Sequence, residues 1–139
     1  MTISRSQLRE IRLRTARCCE YCLLRENIQS ITIHVDHIVP VTHGGDDSSD
    51  NLCLACPDCN RAKGPNVAEL DPLTEEPTRL YNPREQDWDD HFEMNADMSI
   101  AGLTPERRAT IALLRMNMER RVIERFEAWM RGEYPGEKT

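Results

Sequence analysis

The sequence lacks the features of a membrane or exported protein. No apolar run approaches the ~20 residues that a bilayer-spanning helix needs. The first residues, MTISRSQLREIRLR, contain no apolar stretch of the kind found in a secretory signal, and the chain has no internal repeats. Its 139 residues suit one domain with one modest core. We therefore expect a single-domain cytoplasmic protein with no membrane partner.

An excess of positive charge is also missing. The chain has 18 Lys and Arg residues against 24 Asp and Glu residues, a net charge of −6, which is unfavourable for binding phosphates. The charge is uneven, however. Residues 1–25 contain six arginines and two glutamates, a net +4, whereas residues 69–97 contain two arginines and ten acids, a net −8. This asymmetry predicts one basic binding face and an acidic side turned away, although both segments could be ordinary solvated surface.

The N-terminal segment has the pattern of an amphipathic helix. Ser4 and Gln7 have the spacing of a capping box, in which each side chain satisfies a backbone donor of the first turn. Leu8, Ile11 and Thr15 follow at helical spacing. We predict a helix over residues 5–17, with arginines on its other faces.

Six cysteines in a chain expected to be intracellular favour metal binding over disulfides, because a reducing compartment keeps thiols free. Cys19 and Cys22 have the spacing at which one turn of chain presents two thiolates to one ion. Their partners are ambiguous from spacing alone, because Cys53, Cys56 and Cys59 contain two overlapping Cys-x-x-Cys pairs.

Two observations select Cys56 and Cys59 as the second pair. Pro57 suits the first position of a helix, so a knuckle there would open into one. Cys53 lies inside the apolar run 52–55 and has the character of a small buried hydrophobe. Four thiolates with no open position predict a structural zinc that ties the N-terminal segment to this helix. The alternative, a redox-sensing cysteine protein, is disfavoured because no thioredoxin-like context is present.

A short hairpin is predicted between the two cysteine pairs. Residues 31–35 are β-branched and strand-like, residues 42–50 form a polar loop that contains glycine, and residues 52–54 are a second strand. Asp36 and His37 stand together at the end of the first strand. Because consecutive strand residues point to opposite faces, both can serve one site only if the backbone turns there.

The segment from His34 to Lys63 resembles the HNH endonuclease family. The family pattern is an Asp-His pair, a central Asn, and a His or Asn directly after the second Cys-x-x-Cys. Asp36-His37, Asn51 and Asn60 occupy these places in order. Glycines 44 and 45 and Lys63 stand where the family usually carries glycines and a lysine. The resemblance implies a core of two strands and a helix folded around one divalent metal.

The resemblance also implies DNA as the substrate and a role for each residue of the pattern. His37 would be the general base, and Asp36 and Asn60 would supply oxygen ligands to one divalent cation, magnesium or manganese, with nickel as a further candidate. Asn51 would brace the loop and orient the histidine.

Three basic side chains near this pattern are candidates for nucleic-acid contact. Arg61 and Lys63 lie on the predicted helix and could receive phosphate charge, although Arg61 could equally be a surface cation. His34 precedes Asp36 by two residues, so it shares that strand face and could be an accessory ligand for metal or phosphate.

The second half of the chain carries no identifiable chemistry. Prolines punctuate residues 64–103, which we expect to be irregular. Thr104 and Pro105 then start one long helix to about residue 130, with a frayed tail after it. A helical stripe of apolar residues needs a cover: Ile111, Leu114, Met118, Val122, Phe126 and Trp129. We expect residues 70–103 to cover it through Tyr81, Trp88 and Phe92, which favours a monomer; the alternative is a homodimer through this helix.

We therefore predict an α+β fold, in which a zinc-stapled ββα-metal core is flanked by an N-terminal helix and a long C-terminal helix. Residues 1–68 would form the catalytic core, 69–103 an acidic irregular segment, and 104–131 the C-terminal helix. The predicted function is metal-dependent DNA endonuclease. The main alternative is a catalytically silent zinc module that binds nucleic acid or protein.

Overall fold

The computed structural model describes residues 3–26, 31–90 and 92–136. In this part of the chain it has four helices and three two-stranded antiparallel sheets, which confirms the α+β class. The helices are α1 (Arg5–Arg14), α2 (Pro57–Lys63), α3 (Pro105–Leu114) and α4 (Glu119–Met130). The strands are β1 (His34–His37), β2 (Leu52–Ala55), β3 (Ala68–Leu70), β4 (Pro77–Arg79), β5 (Phe92–Met94) and β6 (Ile100–Gly102). None of the described helices is long and apolar enough to cross a bilayer.

Helix α1 begins as predicted and ends earlier. The capping box forms in both directions, with Ser4 accepting from the Gln7 amide and the Gln7 side chain accepting from the Ser4 amide. The helix stops at Arg14 because Ala16 and Arg17 take left-handed backbone angles, which turn the chain toward the first cysteine pair. The Arg14 guanidinium donates to the carbonyls of Ser49 and Leu52, so this arginine anchors α1 to the hairpin.

The predicted hairpin is present, with its first strand displaced along the sequence. Strand β1 begins at His34 and includes Asp36 and His37, which pair with Cys53 and Leu52 of β2. Every residue of β2 is buried, because α1 and α2 both contact this strand. The confirmed ββα unit therefore consists of β1, β2 and α2.

The segment expected to be irregular contains two small hairpins, β3–β4 and β5–β6. The prolines did not prevent them, because Pro77 takes the first position of a short strand and the others lie between strands. Asp71 closes the first hairpin: its carboxylate is fully buried, accepts from Thr74, and receives a two-point bond from Arg108 of α3.

Aromatic side chains join this segment to the N-terminal half. Tyr81 meets Tyr21 and Phe92 edge to face, Trp88 stacks on Phe92, and the Trp88 indole donates to the Tyr21 carbonyl at 2.8 Å. The guanidinium of Arg107 lies 4.6 Å from the centre of the Tyr81 ring. The predicted aromatics therefore pack against the cysteine segment and α3, and they leave the stripe of α4 uncovered.

The prediction of one long C-terminal helix is wrong, because the chain breaks into α3 and α4. Arg115 ends α3 in the left-handed conformation, and Met116 beside it is fully buried. The Asn117 side chain then accepts from the Ile100 amide and donates to the Ile100 carbonyl, both at 2.8 Å. These bonds fix the corner to β6. Neither glycine nor proline marks the break in the sequence.

The predicted apolar stripe also fails on α4. The buried residues of this helix are Arg121, Arg125 and Ala128, whereas Phe126 and Trp129 are exposed. The arginines are buried because they satisfy backbone carbonyls left at the end of α3: Arg121 donates to Leu114 at 2.6 Å, and Arg125 donates to Met116 at 2.7 Å. The hydrogen bonds to these carbonyls therefore determine that the arginine face of α4 turns inward.

Residues 134–136 of the tail after α4 are packed against the N-terminal half, in contrast to the frayed end predicted. The Tyr134 hydroxyl is buried and donates to the Cys22 carbonyl at 2.6 Å, and the Gly136 amide donates to the Leu23 carbonyl. A Cβ atom at position 136 would lie 2.6 Å from the Cys18 sulfur, so only glycine fits. The tail packs directly on the first cysteine pair.

Candidate metal centre and hairpin site

Four cysteines form one buried cluster. The sulfurs of Cys19, Cys22, Cys56 and Cys59 all lie within 4.8 Å of one another, and each of the four residues is buried. Cys19 and Cys22 come from the turn after α1, and Cys56 is the N-cap residue of α2. Pro57 takes the first helical position, as the sequence predicted. The cluster therefore joins the N-terminal segment to α2.

The spacing of these sulfurs fits a tetrahedral metal ion. The Cys22 and Cys56 sulfurs are 3.7 Å apart. A Zn–S distance of ~2.3 Å at a tetrahedral angle requires sulfurs about 3.8 Å apart. All six cysteines are free of disulfides. The four-cysteine set is thus a metal-binding site whose donor chemistry and spacing suit structural zinc.

The two remaining cysteines stand outside this cluster. The Cys53 thiol donates to the Tyr21 hydroxyl, and burial raises the pKa of Cys53 to about 12. Cys18 is buried, with its thiol directed to the Cys19 carbonyl. Both have the environment of small core residues, and the four-cysteine cluster contains neither of them.

A buried arginine completes the metal site and was missed from the sequence. One Arg121 nitrogen lies 3.0 Å from the Cys59 sulfur and 3.7 Å from the Cys56 sulfur. Four thiolates around a divalent ion have a net charge of −2, so a guanidinium at this distance offsets part of that charge. The pattern gives no local signal, because Arg121 is more than 60 residues from the thiolates that it contacts.

The hairpin holds His37 through a partner that the sequence reasoning also missed. The His37 Nε2 atom lies 2.7 Å from a carboxylate oxygen of Asp47, in the loop between β1 and β2. A carboxylate accepts hydrogen bonds, so Nε2 carries the proton and Nδ1 keeps its lone pair. About a quarter of the His37 side chain is exposed. The two adjacent aspartates after the glycines were the available signal.

Asn51 clamps the same loop with three hydrogen bonds. Its oxygen accepts from the Val39 amide at 2.9 Å, and its nitrogen donates to the carbonyls of Val39 and Asp46. The Ile38 amide also donates to the Asn51 carbonyl. Gly45 lies against this clamp, where an added Cβ would overlap the Val39 carbonyl. The loop that carries Asp47 is therefore fixed relative to His37.

Asp36 points to α2 and meets Lys63. The Lys63 ammonium lies 3.3 Å from one Asp36 oxygen and donates to the His37 carbonyl at 3.1 Å. Lys63 is 1% exposed, so the prediction that it contacts nucleic acid is wrong: its stem is packed and its charge is directed inward. The same Asp36 oxygen is buried and has no hydrogen-bond partner in the described residues.

The other predicted residues lie around this site. Asn60 is half-buried, and its position three residues before Lys63 gives it the same face of α2, toward Asp36. Arg61 is highly exposed, with a 3.8 Å contact to Asp58 of its own helix. His34 is exposed at the start of β1. The fold thus brings Asp36, Asn60 and Lys63 to one side of the hairpin and His37 with Asp47 to its loop end.

A buried ion pair connects the metal site to the acidic segment. The side chain of Glu20, between the two cysteines of the first pair, is fully buried and pairs with Arg84. The other Glu20 oxygen accepts from the Leu54 amide of β2 at 2.9 Å. This carboxylate therefore bridges the first cysteine pair, the hairpin and the acidic segment.

Comparison with known proteins places a family on this region. A family model described as HNH endonuclease matches residues 19–66, which include both cysteine pairs, the hairpin and α2. Searches of curated proteins and of solved structures returned no match. The matched segment contains Asp36, His37, Asn51 and Asn60 in the order given by the sequence pattern. Residues 19–66 are therefore an HNH endonuclease domain, with the four-cysteine cluster of the zinc-stapled type.

Proposed function

We propose that this HNH domain makes the chain a metal-dependent DNA endonuclease with a structural zinc. The observation that carries the proposal is the pairing of His37 with Asp47 on a loop clamped by Asn51. In the neutral ring this pairing favours the proton on Nε2 and leaves Nδ1 as the basic nitrogen of a side chain that is about a quarter exposed. The family indicates a nuclease-type function for the domain, and we propose a role for each residue of the site.

His37 is the proposed general base. Its Nδ1 atom removes a proton from water, the water oxygen bonds to phosphorus, and the bond from phosphorus to the 3′ oxygen breaks. Asp47 accepts a hydrogen bond from Nε2–H throughout, so it orients the ring and stabilises the imidazolium that forms. Asn51 acts through the loop, since its bonds reach Val39 and Asp46 on either side of the pair.

Asp36 and Asn60 are the proposed ligands of the catalytic cation. The buried Asp36 oxygen without a hydrogen bond and the amide of Asn60, on the face of α2 that carries Lys63, would supply the hard oxygen donors that magnesium or manganese prefers. A divalent cation here would offset charge on the phosphate and on the departing oxygen. Lys63 holds the Asp36 carboxylate in place and satisfies the His37 carbonyl.

A silent binding module is the second candidate, and the Lys63 contact is the observation that favours it. An ammonium 3.3 Å from the Asp36 oxygen offsets the carboxylate charge that would attract a divalent cation. The two candidates differ in whether the chain binds manganese at a second site, once the cysteine site is filled.

Incubation of supercoiled plasmid with the zinc-loaded protein and magnesium or manganese tests the proposal. We expect cleavage that falls by about 10²–10⁴-fold in His37→Ala, the range of a lost general base, with manganese binding by calorimetry retained. Asp36→Ala should lose both cleavage and manganese binding. An Arg131→Ala control, altered at an exposed residue beyond α4, should behave as the parent.

Either of two results would reject the assignment. A parent protein that binds manganese only at the cysteines and cleaves nothing would support the silent module. A His37→Ala variant that loses manganese as completely as Asp36→Ala would show that His37 is a ligand rather than the base.

A further inference from the structure

The loss of Lys63 as a phosphate contact leaves the predicted site short of positive charge. Lys63 is buried against Asp36, and Arg14 of the basic N-terminal segment is bonded to hairpin carbonyls. Arg12 and Arg17 both pair with Glu26. A chain with a net charge of −6 must concentrate cations somewhere if it binds a polyanion.

Such a concentration lies at a groove between α2, inside the family-matched segment, and the corner that joins α3 to α4, outside it. The groove has a volume of about 550 Å³. Four arginines and two carboxylates line it, which gives the groove a net charge of +2: Arg61, Arg115, Arg120, Arg121, Asp58 and Glu69.

Asp58 is the centre of this arrangement. Arg120 makes two bonds to its carboxylate, at 2.8 and 3.2 Å, and Arg61 and Arg121 each approach the carboxylate to 3.8 Å. Three guanidinium groups therefore share one negative charge. Arg121 also faces the thiolates, which compensate its charge. Arg61 and Arg120 together exceed the single charge of Asp58, so this pair attracts further anionic oxygens.

Arg115 adds a cation that is not compensated. Its guanidinium has neither a hydrogen bond nor an ion pair within the described residues, and the residue is exposed. Its backbone is left-handed, a conformation that costs about 1–2 kcal/mol for a residue other than glycine. This strained corner breaks the long helix predicted from the sequence and brings Arg115, Arg120 and Arg121 to the side of α2.

The groove lies within reach of the catalytic residues. Asp58 and Asn60 are two positions apart on α2, so they lie on nearly opposite sides of the helix. One helix diameter, about 10 Å, separates the two sides, which is short enough for one strand to contact both with only a few nucleotides between them. Arg61 lies between the two sides, and its side chain is more exposed than that of Arg120, at 77% against 57%.

We propose that this groove binds the backbone phosphates of the nucleic acid a few nucleotides from the scissile bond, with Arg115 and Arg120 as its principal contacts. The inference rests on the proposed function, since it assumes that nucleic acid is the substrate. The groove adds affinity without sequence recognition, because phosphate contacts position the strand and carry no base information.

Substitution of the two exposed arginines tests the groove. Arg115→Gln and Arg120→Gln are compared with Arg131→Gln, whose side chain at the end of α4 is 52% exposed against 57% for Arg120. Binding of a fluorescent DNA duplex is measured by anisotropy from 50 to 200 mM salt, with no divalent cation added. Each groove substitution should lower the salt slope by about 0.9, so its loss of affinity is about threefold larger at 50 mM than at 200 mM. The Arg131→Gln slope should match the parent.

Two further variants separate charge from folding. Arg115→Lys and Arg120→Lys keep the charge and should keep the parent slope. Asp58→Asn should have the opposite sign, with tighter binding and a steeper slope, because it removes the carboxylate that the arginines share. Zinc content and thermal midpoint are measured for each protein.

Unchanged salt slopes in both glutamine variants would reject phosphate binding by the groove. Weaker binding by Asp58→Asn at full zinc content would reject it as well. Plasmid cleavage by the same preparations is scored separately. A parent that cleaves, with unchanged slopes in the variants, rejects the groove and keeps the nuclease. Reduced slopes in a protein that does not cleave keep the groove and reject the nuclease.

Discussion

The two halves of this molecule bury opposite kinds of side chain. In residues 19–66 most of the buried groups are thiols and aliphatic side chains, with β2 buried at every position, and the buried charged residues are Glu20 and Lys63. In residues 105–136 three arginines are buried, Arg107, Arg121 and Arg125, while Phe126 and Trp129 face solvent. The first half is organised around a metal site. The second half is organised around buried carbonyl and thiolate acceptors, which receive hydrogen bonds from long arginine side chains.

This contrast shows when hydrophobic periodicity fails as a guide. A helix turns its apolar face inward when burial of that face is the strongest term. Unsatisfied carbonyls at the end of α3 compete with this term, because each costs about 1–3 kcal/mol when buried without a partner. Arg121 and Arg125 supply donors to these carbonyls from α4, so they take the inner face of that helix.

The largest loss of stability is expected from removal of the metal site in the first half. We expect Cys56→Ser to abolish cooperative folding, because structural zinc contributes about 10–16 kcal/mol, more than the net stability of most domains. Cys18→Ser, which leaves all four ligands intact, should fold and keep one zinc per chain. Metal analysis with thermal unfolding of both variants measures this. A Cys56→Ser protein that unfolds like the parent would contradict a structural role for the metal.

Removal of the arginine that links the halves should have the next largest effect. Arg121→Met leaves the thiolates without their buried counter-charge and the Leu114 carbonyl without its donor, at a cost of about 3–5 kcal/mol. Zinc should pass to a chromogenic chelator faster than in the parent, with Arg121→Lys intermediate. Arg131→Met serves as the control for loss of an exposed arginine. Equal release rates in all four proteins would mean that Arg121 does not support the metal site.

Low pH should lower the free energy of unfolding by protonating Asp71, which pairs with Arg108 of the second half. Its two-point bond with Arg108 holds the pKa of the Asp71 carboxyl well below its usual value. The folded pKa is depressed, so the stabilisation is fully present above the unfolded pKa of about 3.9 and is lost as pH falls toward the folded pKa. Urea unfolding from pH 6 to pH 3 should therefore show a steeper acid loss in the parent than in Asp71→Asn. Parallel curves would exclude this pair as the source.

The smallest effect is expected on the exposed stripe of α4. Trp129→Ser should change the free energy of unfolding by no more than about 0.5 kcal/mol, whereas Leu114→Ala, in the buried face of α3, should cost about 2–5 kcal/mol. Our expectation of a monomer predicts unfolding midpoints that do not depend on protein concentration. A parent midpoint that rises with concentration, and does not do so in Trp129→Ser, would instead show self-association through this stripe.

The sequence was most informative where the geometry is local. Pro57 at the first position of α2, the Ser4–Gln7 capping box and the two cysteine pairs are each set by residues a few positions apart, and each was predicted. Asp47 and Arg121 were missed because their partners, His37 and Cys59, are joined to them only by the tertiary fold. Lys63 was misread for the same reason: its position in the pattern was correct, but the direction of its side chain depends on Asp36 across the hairpin.

The contact between Tyr134 and Cys22 has a consequence for the order of events during synthesis. The first cysteine pair leaves the ribosome more than 100 residues before the tyrosine that caps its carbonyl. Zinc can join residues 19–59 as soon as they are exposed, whereas the cover supplied by residues 134–136 arrives only after α3 and α4 have been synthesised. The nascent chain should therefore hold a chelator-accessible metal that becomes protected when residues 134–136 dock on the first cysteine pair.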